Sequence, residues 1–111
     1  DPAVVERLVT SFGDPRSVAG LIDTFLKHVP DQVDALRRGT GQGDAEEVRR
    51  AAHTLKSNAA TFGATDLTDV SRDLESRAKA GTLEGMTALV DRIENELRRV
   101  TEALEKLRDE L

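Results

Sequence analysis

The chain has 111 residues, enough for one domain with one modest core, and its 38% hydrophobic and 33% charged residues suit amphipathic helices rather than a disordered tail. A net charge of −5, with three Phe and no Trp or Tyr, argues against a nucleic-acid surface built on base stacking. There is no Cys, which excludes disulfides and thiolate metal sites, and His28 and His53 stand 25 positions apart, a poor zinc pair without carboxylate help.

No apolar run is long enough to span a bilayer and no signal peptide is visible. A cytoplasmic domain is the expectation. The first residue is Asp1 rather than Met, which is consistent with a processed or excised piece.

Nearly every segment carries helical periodicity, and none carries sustained strand-type alternation. Val5, Leu8, Val9 and Phe12 predict a short first helix that Gly13 ends. Asp14-Pro15 is a helix-start signal, since Asp can cap and Pro is tolerated at the first helical position. The helix that follows places Val18, Leu21, Ile22, Phe25, Leu26, Val29, Val33 and Leu36 on one stripe. Pro30 lies inside it and predicts a kink rather than a break, because the stripe continues beyond. The string GTGQG, with Gly39, Gly41 and Gly43, reads as an interhelical linker; no strand precedes it, so a nucleotide loop is a poor fit.

Asp44 and Glu47 predict a capping pair for a helix through Val48, Ala52, Leu55, Ala59 and Phe62, with Gly63 placed to end it. Thr65 is the expected cap of the next helix, whose inner stripe is Leu67, Val70, Ser71, Leu74 and Ala78. A linker over Gly81 to Gly85 leads to the cleanest repeat: Met86, Val90, Ile93, Leu97, Val100, Leu104, Leu107 and Leu111. Four long amphipathic helices with short linkers predict an all-α, antiparallel up-down-up-down four-helix bundle, with the short N-terminal helix closing one end. A dimeric coiled coil through the last helix is the competing use of that stripe.

Chemistry concentrates around His53. At about 100° per residue it stands off the apolar stripe, and the positions three or four residues away are Arg49, Arg50, Lys56 and Ser57. An imidazole among cations suits a residue that carries phosphate. Its neutral form is a nucleophile near neutral pH, adjacent cations disfavour ring protonation, and a cation offsets the charge the phosphoryl group brings. Small neighbours leave room for a partner's active site. Taken alone, a single His on an amphipathic helix is more often an ordinary boundary residue, and an Arg/Lys cluster a solvated face.

The string from Ala52 to Ala64, AHTLKSNAATFGA, goes further. It resembles the signature of histidine-containing phosphotransfer domains: a His, an apolar residue two later, a Lys three later, small residues, then Gly ten later. Here these are His53, Leu55, Lys56, the run from Ser57 to Ala60 and Gly63. The resemblance implies one phosphotransfer domain over residues 1–111, with His53 as phosphoacceptor, Lys56 holding or orienting the phosphoryl group, and Gly63 ending the helix. Arg49, Arg50, Ser57, Asn58 and Ala60 would then line the partner surface. Many members have Gly immediately after the Lys where this chain has Ser57, which bears on partner clearance. His28 is an exposed helix residue in this reading, not a second phosphoacceptor.

The resemblance further implies a phosphocarrier rather than an enzyme, charged by a phospho-aspartate receiver domain and discharged to another. The domain would bind no cofactor of its own, and Mg²⁺ would sit on the receiver. A monomer without nucleic-acid or direct membrane contact is expected, free-standing or part of a hybrid kinase. Two alternatives stay open: a chemotaxis-kinase-type phosphotransfer domain charged by an ATP-binding kinase domain, and a non-catalytic helical interaction module.

Overall fold

In the computed structural model, which describes Thr10, residues 13–82 and residues 84–111, the regular elements are helices and no strand occurs among the described residues. They are α1 (Pro15–Gln42), α2 (Ala45–Thr61), α3 (Thr65–Lys79) and α4 (Met86–Glu110). The short helix expected before Gly13 falls, apart from Thr10, outside the described residues.

Asp14 starts α1 as its chemistry dictates: its extended backbone turns the carboxylate onto the Ser17 N–H at 2.7 Å, and Pro15 takes the first turn. The helix runs through Pro30, where the missing N–H leaves one rung of the ladder open. It also runs through most of GTGQG, which is not a linker but the last turn of α1. Gly39 is helical and buried, because α1 and α2 touch there: a Cβ at Gly39 would lie 2.8 Å from Val48 Cγ2 and 3.1 Å from the Asp44 carbonyl oxygen. Only Gly43, with φ 68°, leaves the helix, and the Asp44 N–H then closes on the Gly39 carbonyl at 2.8 Å.

The Asp44 carboxylate accepts the Glu47 N–H at 3.1 Å. The reciprocal half of the capping box is absent, since the Asp44 N–H already has the Gly39 carbonyl and the Glu47 carboxylate takes Arg38 at 2.7 Å instead. At the far end of α2, Gly63 (φ 68°) allows two reverse bonds, Ala64 N–H to Ala59 and Gly63 N–H to Ala60, each 3.0 Å. This Schellman turn folds the chain directly into α3. Thr65 is the first residue of α3 rather than its cap; Ala64 holds the cap position and supplies no side-chain bond. The same turn recurs after α3, where Thr82 and Gly81 donate to Arg77 and Ala78.

Each helix packs on its neighbours in the chain, and α1 closes the ring on α4. Ion pairs show the α1–α4 direction: Arg37 meets Asp91 and Glu94 at 2.6 and 2.9 Å near one end, and Arg108 meets Asp23 at 2.8 Å near the other. For α1 and α2, Arg38–Glu47 marks one end and the edge-to-face pair Phe25–Phe62, with centroids 5.3 Å apart, the other. Both pairs are antiparallel, as in an up-down-up-down bundle.

The core is the expected stripe set, with Ile22, Leu36, Val48, Leu55, Leu67, Leu74, Met86, Val90 and Ile93 fully buried. Of the α4 stripe, Met86, Val90, Ile93, Leu97 and Leu104 are buried, Val100 and Leu107 are half-buried against the core, and Leu111, beyond the helix end, is exposed.

Candidate functional site

Helix α2 turns Val48, Ala51, Ala52, Leu55 and Ala59 into the core, which sets the direction of every other side chain on it. His53 falls on the far side, its side chain 56% exposed. At 100° per residue, Lys56 and Arg49 lie about 60° and 40° to one side of it, Arg50 and Ser57 about 60° and 40° to the other. Ala60 lies two turns on along nearly the same line, exposed like Ser57. Asn58 does not join them: it is half-buried and about 140° round the helix from His53. Gly63 serves the turn, and His28 is exposed on α1, away from this helix.

The side of α2 that carries Lys56 faces α3, and from α3 comes a residue the sequence reading did not single out. Glu75 is buried, and its carboxylate is shared: Oε2 lies 2.6 Å from His53 Nδ1, and Oε1 lies 2.5 Å from Lys56 Nζ. The Lys56 hydrogen bond is the chief cause that holds the Glu75 carboxyl below its ordinary range; burial pushes the other way, and the His53 bond adds to the lowering.

An ionised carboxylate can only accept, so Nδ1 must be the donor. In the neutral ring the lone pair then sits on Nε2. With Nδ1 turned to α3, ring geometry turns Nε2 away from the Glu75 carboxylate. The hydrogen positions follow from this network. The cations also divide. Lys56 is bound to Glu75; Arg49 grips Glu46 with two bonds of 2.5 and 3.0 Å; Arg50 is exposed, with no ion pair among the described residues.

The arrangement offers an exposed ring nitrogen with a fixed lone pair, small residues beside it and a cation nearby. It is half of a transfer site, complete only when another molecule brings the group to be transferred. Among the described residues, no cluster of three or more His, Asp or Glu side chains could hold a metal ion. Among them also, no helix is long and apolar enough to cross a membrane.

A family model described as the Hpt domain matches residues 20–110, which includes the whole of α2 and α3. The chain belongs to the Hpt domain family. As an Hpt domain it has a histidine phosphotransfer role in two-component signalling, and it is a phosphocarrier rather than a catalyst. Its fold is similar to the crystal structure of histidine-containing phosphotransfer protein B (HptB) from Pseudomonas aeruginosa PAO1, with a TM-score of 0.90 and 27% identity over 100% of this chain and 95% of that one. A comparison with curated proteins finds no match.

Glu75 had a signal in this Hpt domain's sequence. Counting from Leu67 and Ser71 by helical steps, and back from Ala78, position 75 belongs to the stripe that packs inward. An acid on a packing stripe is costly unless paired, and so points to a basic partner on the facing helix.

Proposed function

We propose that His53 is the phosphoacceptor of a phosphorelay, taking a phosphoryl group from a phospho-aspartate receiver domain and passing it to another receiver. The observation that carries this reading is the 2.6 Å contact of Glu75 with Nδ1, which leaves Nε2 as the nucleophile on the open face of α2. In the step itself, the Nε2 lone pair forms a bond to phosphorus and the bond from phosphorus to the receiver's aspartyl oxygen breaks, its electron pair leaving with the carboxylate. The Nδ1 proton stays in place, so the ring becomes an imidazolium bearing the phosphoryl group, with its positive charge beside Glu75.

The same arrangement serves the return step. The imidazolium is a good leaving group, and its departure restores the neutral ring already in the reactive tautomer. Lys56 contributes by holding Glu75 ionised and in place, and two of its three N–H donors remain for the phosphoryl group. The receiver supplies Mg²⁺ and the acidic pocket. Arg49, Arg50, Ser57 and Ala60 form the surface on which it docks. The likeness to a protein named as a histidine-containing phosphotransfer protein supports the carrier role.

The test is incubation with a phosphorylated receiver domain and Mg²⁺. Acid-labile, alkali-stable label is expected on the wild type and absent from His53→Gln. Label that persists in His53→Gln rejects the site. Labelling that needs an ATP-binding kinase domain and never a phospho-receiver rejects the direction of charging.

A further inference from the structure

Phosphorylation puts about two negative charges at one point of α2. Three cations stand within a helical turn of that point, but they are not equivalent. Lys56 is matched by the buried Glu75 at 2.5 Å, and that pair is close to neutral as a unit. Arg49 is matched by Glu46 through its two hydrogen bonds. Arg50 is exposed and makes no ion pair or side-chain hydrogen bond among the described residues; it feels only the longer-range charge of Glu46, which Arg49 already grips, so it is the least engaged of the three.

Position sharpens the distinction. Glu75, Lys56 and Arg49 lie on the α3 side of His53, the side to which Nδ1 is turned. Arg50 lies on the other side, one turn before His53, and Nε2 points away from Glu75. A guanidinium offers two parallel N–H donors that match two phosphoryl oxygens.

We infer that Arg50 is the residue that pairs with the phosphoryl group on Nε2 of His53, while Lys56 acts chiefly through Glu75. The inference rests on His53 being the phosphoacceptor. The transfer chemistry is unchanged by it. Arg50 neither gives nor takes a proton, and its charge draws the phosphoryl oxygens towards Nε2 as the bond to phosphorus forms.

The experiment removes the partner protein. Wild type, Arg50→Gln, Arg50→Lys and Arg92→Gln are phosphorylated with potassium phosphoramidate, where ammonia is the leaving group, and followed by ³¹P NMR. Arg92 is an exposed cation on α4, a helix that does not pack on α2, so its loss changes net charge alone. Arg50→Gln is expected to phosphorylate about three- to fivefold more slowly, and its phosphohistidine to show a second phosphoryl ionisation raised by about half a pH unit. Arg50→Lys recovers most of both, and Arg92→Gln matches the wild type. Label lost in His53→Gln, with Arg50→Gln indistinguishable from Arg92→Gln, overturns this inference alone. So does a defect in Arg50→Gln that shows only with a phospho-receiver as donor, since Arg50 then contacts the partner. Label that persists in His53→Gln overturns the phosphoacceptor reading and this inference together.

Discussion

Glu75 and His53 meet at 2.6 Å across the α2–α3 interface, and the carboxylate that accepts from Nδ1 is itself held at 2.5 Å by Lys56. The pair fixes the ring's tautomer before any partner arrives. Heteronuclear NMR of ¹⁵N-labelled protein should show the Nδ1–H tautomer dominating over the Nε2–H tautomer in the neutral ring of His53. In Glu75→Gln the side-chain amide can accept or donate, so both tautomers should be populated and phosphorylation should slow by about tenfold. Unchanged tautomer populations in that variant would remove Glu75 from the mechanism.

The same contact should appear in the pH dependence of stability. Glu75 is held below the ordinary carboxylate value of 4.5, chiefly by the Lys56 bond. As pH falls, the unfolded chain therefore takes up its proton before the folded chain does, and acid favours unfolding. The stabilisation is complete above about 4.5 and is lost as pH falls through the lower folded value. In urea unfolding, wild type should exceed Glu75→Gln by about 1–2 kcal/mol at pH 7, the difference shrinking below that point. Glu94, lowered likewise by Arg37, and Glu46, lowered by Arg49, are common to both proteins and cancel. A difference that stays constant down to pH 3 would mean that the bond contributes nothing beyond packing.

What could be read from the sequence divides by range. The helices, their stripes and the cluster at His53 rest on spacings of three and four within one segment, which periodicity reports directly. Glu75 rests on a pairing between helices, and it sits in the charged run Asp73-Leu74-Glu75-Ser76-Arg77, which looks solvated until its place on the stripe is counted. Gly39 failed for a related reason. Three glycines in five residues read as a linker on local propensity, but the approach of α1 to Val48 needs one of them inside a helix. Tertiary contact overrode propensity there.

That conflict makes a paired prediction. Ala normally improves a helix over Gly by about 1 kcal/mol. Gly41, in the same turn, has open space where a Cβ would go, so Gly41→Ala should stabilise the fold by about 0.5–1 kcal/mol. At Gly39 the new methyl would meet Val48 Cγ2 at 2.8 Å and the Val48 backbone nitrogen at 3.2 Å, and the backbone cannot yield cheaply. Gly39→Ala should cost about 2 kcal/mol. Thermal or urea unfolding of the two variants decides the matter, and equal shifts would refute the close approach of α1 and α2.

Ser57 tests the docking face separately from the chemistry. It is exposed, one turn beyond His53 and about 40° round the helix. Its hydroxyl makes no hydrogen bond among the described residues, although its carbonyl accepts one from Thr61 at 3.2 Å. Ser57→Leu should therefore leave stability within about 0.5 kcal/mol and leave labelling by phosphoramidate unchanged. On the docking face proposed above, a leucine there would stand between the receiver and the ring of His53, so transfer from a phospho-receiver should fall by about tenfold or more. Ser57→Gly should transfer at least as fast as the wild type and unfold more easily by about half a kcal/mol, since Gly weakens a helix interior. If Ser57→Leu slows the small donor and the receiver equally, Ser57 acts on the ring itself and the receiver approaches from another side of α2.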